Sequence, residues 1–191
     1  MVRKQIRGRH QDVSPGLSAA LDMLAAKFRT AIHAADETYD RLGIPHALIG
    51  GVAVGAYAEP YATKDIDFLV GDEAFDSRGV VISFKAGVPL EASGVPIDSV
   101  PIEQAYRDVY EGALATAVDS DEPGIRIVRA DYLAALKLIA RRRHDYDAVV
   151  DMLDHGLDEA SVTAVIREHL DLVERFARAL AMYEQDEDVG G

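Results

Sequence analysis

The 191-residue sequence contains no cysteine, which excludes disulfide bonds, thiolate zinc sites and cysteine nucleophiles. Basic residues are also scarce, because 20 Lys and Arg stand against 33 Asp and Glu and give a formal net charge of −13. Phosphate backbones are held mainly by Lys and Arg, so this balance argues against a general affinity for nucleic acid. A nucleic-acid partner would need a local basic patch, and the sequence has two, at residues 1–10 and 137–144.

Long apolar segments are missing as well. No apolar segment that could act as a signal peptide precedes Ser14. The longest apolar run, residues 47–58, contains three glycines and is too short to span a bilayer. We therefore expect a soluble, cytoplasmic protein with no membrane partner.

Several common nucleotide-binding and hydrolase motifs are absent too. The sequence has no G-x-x-x-x-G-K-[ST] and no G-x-S-x-G, and the glycines of "LIGGVAVG" are spaced G-G-x-x-x-G instead of G-x-G-x-x-G. A dinucleotide-binding domain would alternate strands with helices, whereas residues 80–100 are β-like without intervening helices. A dinucleotide-binding domain is therefore the weakest of the hypotheses considered.

The hydrophobic periodicity that is present predicts an α+β fold with a mixed sheet. Apolar residues recur at helical spacing over residues 15–42, as one helix or two collinear ones ended by Gly43. Further helices are predicted at "GVAVGAYAE", at "EQAYRDVYEGALATAV" and throughout the chain after residue 130. Strands are predicted at "HALIG", "KDIDFLV", "GVVISF", "VPLEA", "VPIDSV" and "GIRIV", with the third to fifth forming a meander that continues the sheet.

These patterns predict one compact unit with extensions. We expect a flexible N-terminal tail at residues 1–14 and a mixed domain with an N-terminal helix at residues 15–129. A helical part at residues 130–183 is predicted to pack on that domain, and residues 184–191 to form an acidic tail.

Two aspartates at alternate positions of a predicted strand are the first candidate site residues. Asp65 and Asp67 would share one face of the strand, about 6–7 Å apart. Two such carboxylates can bracket Mg²⁺, which prefers one or two carboxylates together with substrate phosphates. A D-x-D alone is more often a solvated pair at a strand edge, but Asp98 supplies a third acid within another apolar strand, and the three together favour a metal site.

A glycine pair precedes these aspartates. Gly50 and Gly51 end one predicted strand and open a helix, where backbone N–H groups can approach an anion closely. A Gly-Gly at this position is by itself more often a tight turn. Next to the aspartates, however, the pair predicts a site that binds phosphate and metal together.

The segment "LIGGVAVGAYAEPYATKDIDFLV" resembles the signature of the polymerase-beta-type nucleotidyltransferase superfamily. The continuation to "IRIVRADYLAALKLIARRRHDYDAVVDML" is similar to the branch of minimal nucleotidyltransferases and abortive-infection toxins, and the resemblance covers residues 44–153. It implies a nucleotidyltransferase-like mixed sheet flanked by helices, with a helical C-terminal part. It also implies Mg²⁺-dependent transfer of an NMP from an NTP such as ATP to an acceptor hydroxyl, with one or two metal ions and Mn²⁺ as an alternative.

The acceptor implied by the resemblance is an RNA such as tRNA, a protein or a small molecule, and the chain could be the toxin of a toxin–antitoxin pair with a cognate antitoxin as partner. Roles for individual residues follow from the same resemblance. The residues that would bind the metal and catalyse transfer are Asp65, Asp67 and Asp98, the last also as base for the acceptor hydroxyl. The residues that would bind the triphosphate are Gly50, Gly51, Lys64, Lys137 and Arg141.

The sequence departs from the family pattern at Tyr61, where many relatives have Arg. Lys64 or Arg141 would have to supply the missing positive charge. The departure motivates an alternative function, in which the same fold is a catalytically degenerate module that binds a nucleotide or a protein partner.

Simpler interpretations remain for the polar residues further along the chain. Lys137, Arg141 and Asp145 follow at i, i+4 spacing, which is also the pattern of an exposed, salt-bridged helix face. Residues 144–155 contain His and Asp side chains that could suggest a second metal site, but these lie opposite an apolar stripe and are more simply the solvent side of an amphipathic helix.

Overall fold

A mixed β-sheet with helices packed on both faces forms the centre of the fold. The computed structural model describes residues 16–60, 62–78 and 81–189. The strands are β1 His46–Ile49, β2 Ile66–Val70, β3 Phe75–Arg78, β4 Val81–Phe84, β5 Glu91–Ala92, β6 Val95–Val100, β7 Val118–Asp119 and β8 Arg126–Ile127. The helices are α1 Leu17–Asp22, α2 Ala26–Leu42, α3 Gly50–Gly55, α4 Arg107–Ala115, α5 Ala130–Ala140, α6 Arg143–Asp154, α7 Glu159–Ile166 and α8 Leu170–Val189. The predicted α+β class is confirmed.

Six strands form the main sheet in the order β5-β6-β2-β1-β8-β7. The two central strands β1 and β2 are antiparallel, whereas β2 pairs with β6 and β1 pairs with β8 in parallel. The edge strands β5 and β7 are antiparallel to their neighbours. The short helix α3 connects β1 to the segment that leads into β2, so the glycine pair and the aspartates lie on adjacent elements, as the sequence predicts.

Each face of the sheet is covered by a different helix. Helix α2 packs on one face, where Tyr39 contacts Phe68 at a ring-centroid distance of 5.2 Å and shares a 2.7 Å hydrogen bond with Ser99. Helix α5 belongs to the other face and is buried along most of its length, including Leu133 and Leu138 at 1% exposure each. Helices α6, α7 and α8 pack against α5, and thus the chain after residue 130 is helical as predicted.

The predicted meander is wrong in part. Strands β3 and β4 form a separate two-stranded antiparallel sheet, so this segment does not continue the main sheet. The rings of Phe75 and Phe84 stack across this hairpin at 5.1 Å, which gives it an apolar contact of its own. Only β5 and β6 extend the main sheet from this region.

The first helical segment consists of two helices, α1 and α2, which is one of the two alternatives predicted. Two other element boundaries differ from the prediction. The end of the third predicted helix instead forms β7, which pairs with β8. Strand β2 begins only at Ile66, so Asp65 precedes it. The hydroxyl of Thr63 donates to the backbone carbonyl and the carboxylate of Asp65, and such local side-chain bonds compete with the strand ladder.

The predicted N-terminal tail, residues 1–14, lies outside the described residues, and helix α8 extends through the first part of the predicted acidic tail. Among the residues that the structure describes, no helix is both long and apolar enough to cross a membrane.

Candidate functional site

The first residue of the glycine pair, Gly50, lies directly against Asp67, the second aspartate of the D-x-D. Gly50 has a left-handed backbone with φ +70°, which favours glycine, and a Cβ atom built on it would lie 1.8 Å from Oδ2 of Asp67. The carboxylate of Asp67 therefore occupies the space that any other side chain at position 50 would need. Gly51 follows in the first turn of α3. The glycine requirement that the sequence suggested thus has a steric cause at Gly50.

Asp67 and Asp98 are partners in the parallel ladder between β2 and β6. Partner residues on adjacent strands point to the same face of a sheet, so both carboxylates lie on the face of α5. Asp67 is half-buried and Asp98 is exposed. Asp65 lies before β2 and not within it, and its negative charge acts on Asp67.

The pKa of Asp67 is raised to about 6, first by burial and then by the negative charges of Asp65 and Asp98. The positive charges of Lys137 and Arg142 act in the opposite direction. A half-buried carboxylate with like charges beside it and cations opposite is an arrangement that is common in functional sites. It is also one that an added cation would stabilise.

A cavity of about 160 Å³ lies in front of Asp67. Its polar lining comes from Asp67, Lys137, Arg142 and Asp145. The rest of the wall is Ile49 and Gly50 from the β1–α3 junction, Val100 from β6, Tyr110 from α4, and Leu133, Leu136 and Ala140 from α5. A charged floor and an apolar wall meet in this cavity, which suits a ligand with a phosphate group and an apolar group.

Lys137 is not part of an exposed helix face. Its Nζ atom lies 3.1 Å from Oδ1 of Asp145, and the two side chains are only 12% and 3% exposed. The i, i+4 pattern through Arg141 is not a continuous helix, because α5 ends at Ala140 and α6 begins at Arg143. The ammonium group of Lys137 is therefore directed into the cavity wall by a buried carboxylate on the next helix.

The turn between α5 and α6 gives its two arginines different positions. Arg141 has a left-handed backbone with φ +64°, and its side chain is 62% exposed and lies 3.8 Å from Asp171 on α8. Arg142 lines the cavity. The structure thus places Arg142, and not the predicted Arg141, beside Asp67. Lys64 is exposed and precedes β2, and Tyr61 lies outside the described residues.

Mg²⁺, which the resemblance implies, fits part of this arrangement. The adjacent carboxylates of Asp67 and Asp98, with the pKa of Asp67 raised, suit a cation that takes its remaining ligands from water and a substrate phosphate. Within the described residues, however, no group of three or more His, Asp or Glu side chains is arranged to hold a metal ion. The two-carboxylate set therefore fits, and the participation of Asp65 in binding stays a prediction.

Among the cavity residues with polar side chains, sequence reasoning missed Tyr110, Arg142 and Asp145. A signal for Asp145 existed, because an acid at N3 of a helix commonly caps it, and Asp145 Oδ2 does accept a 3.0 Å hydrogen bond from the Arg142 backbone N–H. For Tyr110 and Arg142 the sequence contains no such signal, since both reach the site only through the packing of α4 and α5 on the sheet.

No protein-family model matches the chain, and no curated protein matches it. Among solved structures, the chain is similar to the crystal structure of an antigenic nucleotidyltransferase-like protein from Paracoccidioides brasiliensis. The TM-score is 0.44 and the sequence identity 14%, over 79% of this chain and 92% of that chain. At this level of similarity the chemistry has to be inferred from the residues of the site.

Proposed function

We propose that this protein is a metal-dependent nucleotidyltransferase, which transfers an NMP from an NTP to an acceptor hydroxyl. One observation carries the proposal: Asp67, next to Asp98 in the parallel ladder and over Gly50, faces a cavity whose opposite wall presents Lys137 and Arg142. The acids of the sheet on one side, and on the other two cations of which Lys137 is paired with Asp145, match a substrate that binds as a complex of phosphate and divalent metal.

The cations of the cavity would bind the phosphates. Lys137 and Arg142 would offer N–H donors for charge-assisted hydrogen bonds to phosphate oxygens. The backbone at Gly50, which lines the same cavity, and at Gly51 would supply further N–H donors to the same group. Arg142 takes the role that the resemblance implied for Arg141, and Lys64 remains a candidate contact at the entrance to β2. Lys137 would have to exchange part of its contact with Asp145 for the phosphate.

Asp67 and Asp98 would hold Mg²⁺, with Asp65 as a further candidate ligand. When bound, the metal supplies charge neutralisation at the phosphates and orientation for in-line displacement. Asp98 is exposed and would accept the proton of the acceptor hydroxyl. The hydroxyl oxygen then forms a bond with the α-phosphorus, the bond to the bridging oxygen breaks, and pyrophosphate leaves.

The acceptor classes stay those of the resemblance: an RNA such as tRNA, a protein or a small molecule. A role as a cytoplasmic toxin with a cognate antitoxin belongs to the same proposal. The net charge of −13 makes the short basic segment around the α5–α6 turn the natural contact for a polyanionic acceptor.

The alternative is a degenerate module of the same fold that binds a nucleotide or a protein partner without turnover. It is favoured by the finding that no three-residue metal cluster is formed among the described residues, and by the engagement of Lys137 with Asp145. Tyr61, where many relatives have Arg, motivates the same alternative.

Turnover decides between the two functions. The full chain would be incubated with each α-labelled NTP and Mg²⁺, in the presence of total cellular RNA or total cellular protein. Transfer of label by the wild type and its loss in Asp67→Asn would support the enzyme, with Asp119→Asn on the exposed edge strand β7 as matched control. Nucleotide binding without any transfer of label would support the degenerate module.

A further inference from the structure

The turn between α5 and α6 is held in an unusual conformation. Arg141 adopts a left-handed backbone, which an L-residue other than glycine rarely adopts without support from its surroundings. This conformation turns the chain so that Arg142 lines the cavity while Arg141 is directed away from it. The placement of Lys137, Arg142 and Asp145 around the cavity depends on this turn.

A single carboxylate outside the cavity connects the turn to the rest of the fold. Oδ2 of Asp171, in the first turn of α8, accepts a 2.6 Å hydrogen bond from the hydroxyl of Tyr106 and another from Nη2 of Arg175. Nη2 of Arg141 lies 3.8 Å from the same oxygen. Donors from the residue before α4, from the α5–α6 turn and from α8 therefore converge on one atom.

Arg175 extends this connection to the end of α5. Its Nη1 donates a 3.0 Å hydrogen bond to the backbone carbonyl of Leu138, one of the carbonyls that the last turn of a helix leaves without an intrahelical partner. The Arg175 side chain is only 13% exposed, so its guanidinium is fixed between Asp171 and Leu138. Helix α8 thus supports the last turn of α5, which also contains Lys137.

We propose that Asp171 is a positioning residue for the cavity: through Arg175 and Arg141 it fixes the α5–α6 turn, and so the placement of Lys137 and Arg142 opposite Asp67. Through Tyr106 it fixes the start of α4 as well, whose Tyr110 forms another part of the cavity wall. The consequence for nucleotide binding rests on the proposed function, whereas the consequence for the turn does not.

Asp171 suits this test because it is not part of the cavity lining, and its side chain is 45% exposed. Asp171→Asn keeps the shape of the side chain but replaces the accepting oxygen with an N–H donor or leaves a weaker neutral acceptor. Glu174→Gln removes the same charge from an exposed position of α8 and serves as matched control. Asp171→Glu retains a carboxylate and serves as the conservative variant.

The first measurement is hydrogen exchange of the full-length protein, followed by mass spectrometry of peptides that cover residues 137–145. In Asp171→Asn we expect these amides to exchange about tenfold faster than in the wild type, because the turn opens locally more often. Glu174→Gln should match the wild type, and Asp171→Glu should lie between the two. Equal exchange in the wild type and Asp171→Asn would overturn the proposal.

The second measurement is calorimetric titration with a non-hydrolysable NTP in the presence of Mg²⁺. We expect about ten- to hundredfold weaker binding by Asp171→Asn, since a small displacement of groups that position a substrate has effects of this size. Faster exchange with unchanged nucleotide affinity would overturn the positioning role. A wild type that binds no nucleotide would instead refute the proposed function, and the hydrogen-exchange result would then decide the role of Asp171 in fixing the turn.

Discussion

Two neighbouring residue pairs of the β2–β6 ladder face opposite sides of the sheet and differ in how their polar groups are satisfied. Phe68 and Ser99 lie under α2, where the Ser99 hydroxyl shares a hydrogen bond with Tyr39. Asp67 and Asp98 lie on the other face, where two like charges are adjacent and the pKa of Asp67 is raised to about 6. The contacts under α2 stabilise the fold, whereas the two adjacent carboxylates on the other face cost stability.

The buried His46, on the α2 face, also differs from Asp67 in how its polar groups are satisfied. Nδ1 of His46 lies 2.9 Å from the Ile44 carbonyl and Nε2 lies 2.8 Å from Oδ1 of Asp36, so both ring nitrogens face acceptors. A buried charge with a partner for each of its donors needs no ligand. Among the described residues, Asp67 has no such set of hydrogen-bond partners, and this difference between the two faces is the reason for placing the proposed substrate site beside Asp67.

The largest effect is expected from breaking the acidic pair. Asp67→Asn should lower the rate of nucleotidyl transfer by about 10³-fold, because loss of a metal ligand removes several kcal/mol of transition-state stabilisation. Ser99→Ala, on the adjacent pair, should leave the rate unchanged and destabilise the fold by about 1–3 kcal/mol, because the buried Tyr39 hydroxyl loses its partner. Assays of transfer and chemical unfolding of both variants test the contrast, and equal activities would contradict it.

Gly50→Ala should show that the acidic face also has a steric requirement. The new methyl group would overlap the Asp67 carboxylate on a left-handed backbone, and we expect a loss of about 2–4 kcal/mol in the free energy of unfolding. Gly43→Ala is the control, since Gly43 has a similar φ of +66° with nothing within 4 Å of its Cβ position. If the two variants lost the same stability, the contact with Asp67 would be unimportant.

Asp67→Asn should also change the stability of the metal-free protein, in a way that depends on pH. Because the folded pKa of Asp67, about 6, lies above the ordinary aspartate value of 3.8, folding favours the protonated form, and the resulting cost in stability appears as pH rises between these two values. The variant should therefore be more stable than the wild type by about 1–3 kcal/mol at pH 7 and equally stable near pH 3. Urea unfolding at several pH values measures this difference in stability. A difference between variant and wild type that stays constant across pH would contradict the raised pKa of Asp67.

Substitutions of the basic residues should weaken nucleotide binding only where the side chain lines the cavity. Lys137→Ala and Arg142→Ala should each weaken Mg²⁺-NTP binding by about 1–3 kcal/mol, the range for a charge-assisted hydrogen bond, whereas Arg141→Ala should change it little. Asp145→Asn is needed beside Lys137→Ala, because removing one partner of a buried ion pair also destabilises the fold. Calorimetric titration of the variants decides whether the nucleotide binds Arg142 or, as the sequence predicted, Arg141.

The smallest effect on stability is expected for the His46–Asp36 pair on the face under α2. Burial lowers the pKa of His46, but the hydrogen bonds with Asp36 and the Ile44 carbonyl outweigh burial, so that the pKa is raised above the ordinary histidine value of 6.5. The stabilising charge is fully present below pH 6.5 and is lost as pH rises through the folded pKa. Asp36→Asn should reduce this loss of stability above pH 6.5, and NMR titration of His46 should show a lower pKa in the variant than in the wild type.

The sequence by itself determined the class of the fold and the order of the elements that carry the candidate site residues. The alternation of apolar residues predicted strand β6, which contains Asp98, and Gly43 predicted the end of α2 after Leu42. The glycine pair and Asp67 lie on adjacent elements, as predicted. These features are local, because backbone conformation and side-chain alternation are encoded within a few residues.

Only the tertiary structure decided which groups meet across the cavity. The local pattern placed Lys137, Arg141 and Asp145 on one helix face. In the structure the helix ends at Ala140, before the left-handed Arg141, so that the Lys137–Asp145 pair is buried and the exposed Arg142 lines the cavity. The turn is held by Asp171, a residue far along the chain, and its contacts depend on how α8 packs against α5. Sequence periodicity reports which side of an element is apolar, whereas the partner on the other side is set by long-range packing.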